Sequence, residues 1–381
     1  MFDLTETQAM VRDAARRYAQ GTLAPVAARL DREARFPRQQ LHDLAELGLM
    51  GVNVPEEYGG AEAGAVAHAL ALMEIAQGCA STSVTMGVNN MVAETICRFG
   101  SEQQKRKYVP EITSGRFAAA SFGLSEPHSG SDASALRTTA RRDGAFWVIN
   151  GSKQWITSGD HAGVILVWAR TAESPGHASR GISCFLVEGG SKGLHAGSHE
   201  DKMGLRASST VGLSLEDVRV PASALLGVEG RGMPIALTAL DGGRIGIAAQ
   251  AVGIATAALA ESVRYARDRR AFGQPIATYQ AIRFMLADGD TELEAARLLV
   301  LRAAARKEAG KPFTREASMA KVFATEKANK VCHAAVQIHG GYGYLDEFPA
   351  ERHYRDVRVT TIYEGTSEIQ RIVIARELLK D

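Results

Sequence analysis

Apolar positions recur at the helical period through the first hundred residues, give way to strand-like alternation near Phe117, and return to the helical period from about Met233 onward. TETQ at Thr5 to Gln8 fits a capping box ahead of a long alanine- and arginine-rich segment. Further helices are predicted over 37–47, 64–77, 83–99 and 101–114, with VPEEYGG as a turn between two of them. AFWVINGSKQWIT alternates aromatic and β-branched residues around Asn150-Gly151, which predicts a two-residue hairpin there. GVILVWAR, GISCFLVE and VGLSLEDVRV follow at the intervals of a small β-sheet domain, closed by Pro221 and Gly227. Helices are then predicted over 233–268, 276–308, 314–338 and 367–379, and long helices with short connections predict a bundle. In the last of them SEIQ, from Ser367 to Gln370, fits a capping box, with Thr366 as the other candidate cap, and Ile369, Ile372, Val373 and Leu379 should face inward. The pattern divides the chain into helical residues 1–117, β residues 118–229 and helical residues 230–381.

Composition narrows what these elements can do. Apolar residues make up 45% and charged residues 23%, as in ordinary globular proteins, and the net charge is +1. That balance gives no bulk attraction to nucleic acid or to an anionic membrane, so an anionic ligand must be met by local cations. The apolar run over 245–260 has 16 residues, short of the roughly 20 that span a bilayer, and Arg244 and Glu261 flank it; a buried helix is expected. The N-terminus has no apolar signal-peptide core. Cys79, Cys97, Cys184 and Cys332 are scattered without CxxC or CxxH spacing, which predicts neither disulfides nor a zinc site, no metal, and a reduced cytoplasmic setting.

Five segments carry residues suited to chemistry. FGLSEPHSGSD, 122–132, reads as a loop whose backbone N–H groups suit a phosphate or a flavin edge, or as a plain surface turn; it is not a G-x-G-x-x-G motif. In KQWITSG, 153–159, Trp155 can stack on a planar cofactor and Thr157 can donate to it, or Trp155 fills a sheet core. DGGR, 241–244, sets two glycines in an apolar helix at about 1 kcal/mol each, which implies close approach of a helix or a ligand. RRAFGQP and QIHGGYGY end two helices with arginines and with a glycine cluster. In IYEGTSEIQR, 362–371, Glu364 stands just before a helix, either as a helix-end charge or as a base.

LSEPHSGSD, WIT, RAFGQPI, QIHGGYGY and IYEGTSEIQR, in this order and spacing, resemble the acyl-CoA dehydrogenase family across essentially the whole chain. VTMGVNN and TALDGGRIGIAAQAVGIA most resemble its short-chain, butyryl-CoA branch. The resemblance implies an α+β multidomain fold: an N-terminal all-α domain, a middle β-barrel or sandwich domain and a C-terminal four-helix bundle. It implies FAD-dependent oxidation of an acyl-CoA to the trans-2-enoyl-CoA in fatty-acid β-oxidation, with an electron-transfer flavoprotein as acceptor. Phe122, Leu124, Ser125, Gly130 and Ser131 would line the flavin with Trp155, Ile156 and Thr157, and Ser125 and Thr157 would hydrogen-bond its ring. Ser131 and Asp241, Gly242, Gly243 and Arg244 would meet the CoA portion. Arg269, Phe272 and Gln280, with Gln337, Ile338, Gly340 and Gly341, would hold FAD from a neighbouring subunit, which implies a homotetramer built as a dimer of dimers. Thr366 and Glu368 would also contact FAD. Glu364 matches the catalytic base, with Tyr363 walling the acyl pocket and Gly365 leaving room for the thioester. Some branches place the base immediately before the arginine of the DGGR-like segment, where this chain has Gly243.

Relatives of the same fold give the alternatives. Acyl-CoA oxidases are longer and nitroalkane-type oxidases use an aspartate base. A DNA-binding branch carries a basic C-terminal region, which ELLKD is not. The arginine that marks glutaryl-CoA enzymes is replaced here by Ser83. Branched substrates such as isobutyryl- or 2-methylbutyryl-CoA stay open, since one methyl changes pocket binding by only about 1–3 kcal/mol.

Overall fold

A computed structural model describes residues 4–172 and 179–380. Six helices come first: α1 (Glu6–Tyr18), α2 (Ala24–Arg32), α3 (Arg38–Glu46), α4 (Gly64–Gly78), α5 (Ala80–Phe99) and α6 (Glu102–Thr113). The Thr5 hydroxyl accepts the Gln8 N–H at 3.2 Å and the Gln8 side chain accepts the Thr5 N–H at 3.1 Å, so the expected capping box starts α1. Helices α4 and α5 are buried along most of their length, which explains their nearly unbroken apolar and small-residue sequences.

The middle region is one eight-stranded sheet. Its strands are β1 (Ala119–Gly123), β2 (Thr139–Asp143), β3 (Phe146–Thr157), β4 (Ala162–Arg170), β5 (Ile182–Glu188), β6 (Leu194–His199), β7 (Thr210–Pro221) and β8 (Leu225–Leu226). The order is β6-β7-β3-β2-β4-β5-β8, with β1 parallel to β4. Both faces of β4 are buried: Val164, Leu166 and Trp168 pack toward the helices, while Ile165, Val167 and Ala169 pack against β3 and β7.

The hairpin expected at Asn150-Gly151 is not there. Both residues lie inside β3, where the register against β7 shifts between Ile149 and Gly151. The Asn150 side chain donates to Asp217 Oδ1 at 2.9 Å and accepts the Asp217 N–H at 2.8 Å, so it staples a bulge to the neighbouring strand. Gly151 has φ +149°, and a Cβ there would meet Thr138 Oγ1 at 2.5 Å. The turn is instead at Gly144 (φ +58°), where Asp143 pairs with Phe146.

The C-terminal region holds α7 (Gly232–Asp268), a small hairpin of β9 (Arg270–Ala271) and β10 (Gln274–Pro275), α8 (Gln280–Glu308), α9 (Thr314–His339), α10 (Pro349–Arg358) and α11 (Ser367–Leu378). Helices α7, α8, α9 and α11 form the bundle, α7 also packs on α4 and α5, and α10 was not anticipated by the sequence pattern. Helix α7 is long and apolar enough to cross a membrane by length and composition, yet 67% of its most apolar window is buried against protein, as expected of a core helix. The cap of α11 is Thr366, whose hydroxyl accepts the Ile369 N–H at 3.3 Å; the Ser367–Gln370 box does not form because the Gln370 side chain turns back toward the preceding loop. Only one stripe of α11 is buried, Ser367, Gln370 and Val373, so Ile372 and Leu379 are exposed, contrary to the expected inward set.

Candidate active site

A cavity opens between α4, α5 and α7 and ends at the loop joining α10 to α11. Leu72 from α4, Ser83, Gly87 and Met91 from α5, Gly242, Gly243, Gly246 and Gln250 from α7, and Glu364 line it. Leu72 fills the space left by two facing glycines: a Cβ on Gly87 or Gly246 would lie 3.6 or 3.4 Å from its methyls.

Glu364 is presented by a strained turn. Its φ is +51°, and Gly365 follows at φ +93°, so two consecutive residues are left-handed. The Gly365 carbonyl accepts hydrogen bonds from Lys321 Nζ at 2.8 Å and Gln370 Nε2 at 2.9 Å, which hold the turn. The carboxylate oxygen Oε2 is buried without a hydrogen-bond partner among the described residues. A Cβ on Gly243 would lie 2.0 Å from that oxygen, so the glycine leaves the space the carboxylate occupies. Burial pushes the carboxyl up to about 7, while Lys321 and Arg244 pull it back down.

Arg244 is itself buried, paired with Asp241 at 2.6 Å and donating to Ser318 Oγ at 3.3 Å; Thr314 donates to the other Asp241 oxygen at 2.5 Å. Burial lowers the Arg244 guanidinium, and among the described residues its Nε has no partner. Gly242 and Gly243 therefore face the cavity while Asp241 and Arg244 stand beside it. Tyr363 sits one layer back from the wall: its hydroxyl donates to Gln250 Oε1, and Gln250 lines the cavity while donating to Ala80 O at 2.9 Å. Sequence reasoning did not single out the polar groups at the cavity's other side, Glu94 paired with Lys307 at 2.7 Å and His68, whose burial lowers its pKa to about 4 and keeps it neutral. It also missed Lys321. That residue shares one stripe of α9 with Ala317, Ala324 and Ala328, and a lone lysine in such a stripe is the signal that could have found it.

The residues expected at the flavin gather in two places. In the first, Gln154 donates its N–H to Ser125 O at 3.0 Å, and Lys153 Nζ reaches Leu124 O at 3.3 Å and Glu126 Oε1 at 2.8 Å, so loop 124–126 is tied to β3. Ile156 is buried, and a second bulge between Lys153 and Ile156 turns Trp155 outward at φ +61°, 62% exposed. The sheet-core alternative for Trp155 is thereby excluded; Trp147 and Trp168 fill the core, with Phe122 packed on Trp168 at 4.3 Å. Thr157 accepts from Ser121 Oγ through its carbonyl at 2.7 Å. Gly130 and Ser131 are exposed, with nothing within 4 Å of a Cβ built on Gly130. An exposed indole on a rigid strand beside an open loop fits a planar ring system and an adjoining phosphate.

In the second place, Arg269, Ile338, Gly340 and Gly341 share an open groove of about 610 Å³ with Tyr265 and Tyr342. Arg269 lies over the Tyr342 ring at 5.3 Å, and a Cβ on either glycine would meet nothing within 4 Å. Phe272, 96% exposed, is near the groove in sequence, while Gln280 and Gln337 are also exposed. Among the described residues, none of the middle region lines this groove. Thr366 is engaged as a cap and Glu368 is exposed in the first turn of α11.

Asp160, His161 and His199 also converge, with their ligand atoms within 4.8 Å of one another. Asp160 Oδ2 is 2.6 Å from His199 Nε2 and 3.5 Å from His161 Nε2, and Ser209 Oγ donates to Asp160 Oδ1 at 2.6 Å. These mutual contacts account for the cluster as a surface polar network.

Comparison with known proteins covers nearly the whole chain. Residues 5–116, 121–218 and 230–379 match the family models described as the N-terminal, middle and C-terminal domains of acyl-CoA dehydrogenase. The chain is 52% identical over 379 residues to the short-chain specific acyl-CoA dehydrogenase of Bos taurus, covering 99% of this chain and 91% of that one. The structure of butyryl-CoA dehydrogenase from Megasphaera elsdenii superposes with a TM-score of 0.97 at 41% identity, covering 100% of both chains. A chain from a structure described as the electron transferring flavoprotein of Acidaminococcus fermentans also has a TM-score of 0.97, with 44% identity and 100% of both chains covered.

Proposed function

The chain belongs to the acyl-CoA dehydrogenase family, and from that premise we propose that it converts a short- to medium-chain acyl-CoA to the trans-2-enoyl-CoA with Glu364 as the base. It is an oxidoreductase with FAD as its cofactor. The observation that carries the assignment of the base is the Glu364 carboxylate itself: it lies in the cavity, has no ion-pair partner among the described residues, and is raised to about 7, where a carboxylate is both populated and basic near neutral pH.

The α-hydrogen of a saturated thioester is a weak acid, so its removal needs stabilisation of the charge that develops on the thioester oxygen. The backbone N–H of Glu364 is the proposed protein donor, held in place by the turn that Lys321 and Gln370 pin. Bound FAD supplies the acceptor for the β-hydride. Trp155 would stack on its ring system, and Ser125 and Thr157 would hydrogen-bond it, with Phe122, Leu124, Gly130, Ser131 and Ile156 around them. The groove at Arg269, Ile338, Gly340 and Gly341, with Phe272, Gln280 and Gln337, would serve a neighbouring copy's cofactor, which makes a homotetramer the proposed assembly; Thr366 and Glu368 would complete the contact. Gly242, Gly243, Asp241, Arg244 and Ser131 would border the CoA path, with Tyr363 backing the acyl wall and Gly365 opposite the thioester. An electron-transfer flavoprotein is the proposed acceptor, and the four unpaired cysteines suit a cytoplasmic setting.

Leu72, seated between Gly87 and Gly246, supports a short acyl chain. Branched C4 and C5 acyl-CoAs are the second reading, since Ser83, Gly87, Gly243 and Gly246 leave room beside Leu72 and Met91. Anaerobic titration of the purified flavoprotein with C4, C8, C16, isobutyryl- and isovaleryl-CoA tests the proposal: butyryl-CoA should bleach the flavin fastest, and bleaching by none of the five would contradict it.

A further inference from the structure

Lys321 is a fully buried cation on α9, 0% exposed, and among the described residues it forms no ion pair. Burying an ammonium costs several kcal/mol, and a methionine could fill the same volume without that cost. Its hydrogen bond goes to the carbonyl of Gly365, the residue after Glu364, at 2.8 Å. That carbonyl belongs to the left-handed pair Glu364 and Gly365, a conformation that a non-glycine residue leaves unless its surroundings hold it. We infer that Lys321 is a positioning residue for the base: its hydrogen bond fixes the turn that aims Glu364 into the cavity, and its charge keeps the carboxylate ionised without quenching it in a salt bridge. This deepens the reading of Glu364 as the base and rests on it.

The surroundings support both parts. Two cations act on Glu364, Lys321 from α9 and Arg244 from α7, and neither contacts the carboxylate. Arg244 is committed to Asp241 and Ser318, so of the two cations Lys321 is the one that, among the described residues, no acid meets in an ion pair. Glu326 on α9 and Glu368 at the start of α11 also act on Lys321, and Tyr363 adjoins the base. Burial lowers the Lys321 ammonium to about 8, so it still carries its proton at neutral pH. Gln370 makes the second hydrogen bond to the same carbonyl, so a neutral donor already shares the mechanical role and the charge is what lysine adds.

Two variants separate these roles. Lys321→Gln keeps a donor for the Gly365 carbonyl and removes the charge; Lys321→Met removes both. Each is isolated with FAD bound and reduced anaerobically with butyryl-CoA from pH 5.5 to 9 in a stopped-flow instrument. In both, the pKa that governs flavin reduction should rise by about one, so that the rate below that pKa falls about tenfold. In Lys321→Met the limiting rate at high pH should fall as well, and Lys321→Arg should restore the pKa. A pKa unmoved in Lys321→Gln, or in Lys321→Arg and Lys321→Met alike, overturns the assignment even if FAD binding or melting temperature suffers. Glu364→Gln run alongside keeps the two readings apart: if it is reduced normally, the base itself is wrong, whereas if it is inactive and the Lys321 profiles are unmoved, only the role of Lys321 fails.

Discussion

Gly243→Ala isolates the geometry of the base from the stability of the fold. Gly243 is on α7, where alanine is favoured over glycine by about 1 kcal/mol. The added Cβ would lie 2.0 Å from Glu364 Oε2, 2.9 Å from its Cδ and 3.1 Å from Met91 Sδ. Ordinary contact begins near 3.5 Å, so the carboxylate must retreat by about 1.5 Å. Both crowded groups are ends of flexible side chains, so the fold can yield at small cost. The chemistry cannot, because a misplacement of about 1 Å is enough to lose about 100-fold in rate, or about 2.7 kcal/mol of barrier. The assay is anaerobic flavin reduction by butyryl-CoA, with FAD absorbance and melting temperature measured on the same preparation. The expected result is an unchanged or higher melting temperature, full FAD content and reduction slowed about 100-fold. A wild-type reduction rate would refute the placement of Glu364 against Gly243.

The pH dependence follows from the raised carboxyl. Because the ionised form of Glu364 is the reactive one, kcat/KM should fall as pH drops through about 7, and a profile flat from pH 5.5 to 8 would contradict this. A folded-state pKa above the unfolded 4.5 stabilises the protein below 4.5 and loses that stabilisation as pH rises through 7, so Glu364→Gln should gain on wild type between pH 5 and 8, by about 3 kcal/mol at most, in chemical denaturation. Leu72→Ala should raise the octanoyl- to butyryl-CoA rate ratio while lowering stability by about 2–5 kcal/mol. Lys153→Met leaves Glu126 charged and buried beside the 124–126 loop, so it should destabilise by about 3–5 kcal/mol and weaken FAD retention, read by flavin released on gel filtration.

Much of the fold was legible because α8 and α9 keep one apolar stripe over many turns, because α7 is a long run of apolar and small residues, and because Thr5 and Gln8 form the box their spacing announces. Where two local signals competed, sequence alone chose badly. Asn150-Gly151 has the composition of a hairpin turn, but Asp143-Gly144 turns first and pairs β2 with β3, which leaves the later pair as a bulge. In α11 Ile372 and Leu379 looked inward because periodicity does not show how narrow the packed stripe is on a helix that meets mainly α9. The candidate base was visible as a residue next to a glycine before a helix; its unpaired burial was not, because that depends on Lys321, 43 positions away, and on Gly243, 121 positions away. The groove at Gly340 and Gly341 was visible as a glycine cluster, while its separation from Trp155 within one chain is a property of the assembled domains.

Glu364→Gln bears most directly on the proposed function. The amide matches the carboxylate in size, so the turn and the FAD content should persist and the melting temperature should be no lower than that of wild type. Rapid mixing with butyryl-CoA under anaerobic conditions should then show flavin reduction slowed at least about 100-fold, the usual share of a general base. Reduction at a near wild-type rate, with FAD bound, would contradict Glu364 as the base.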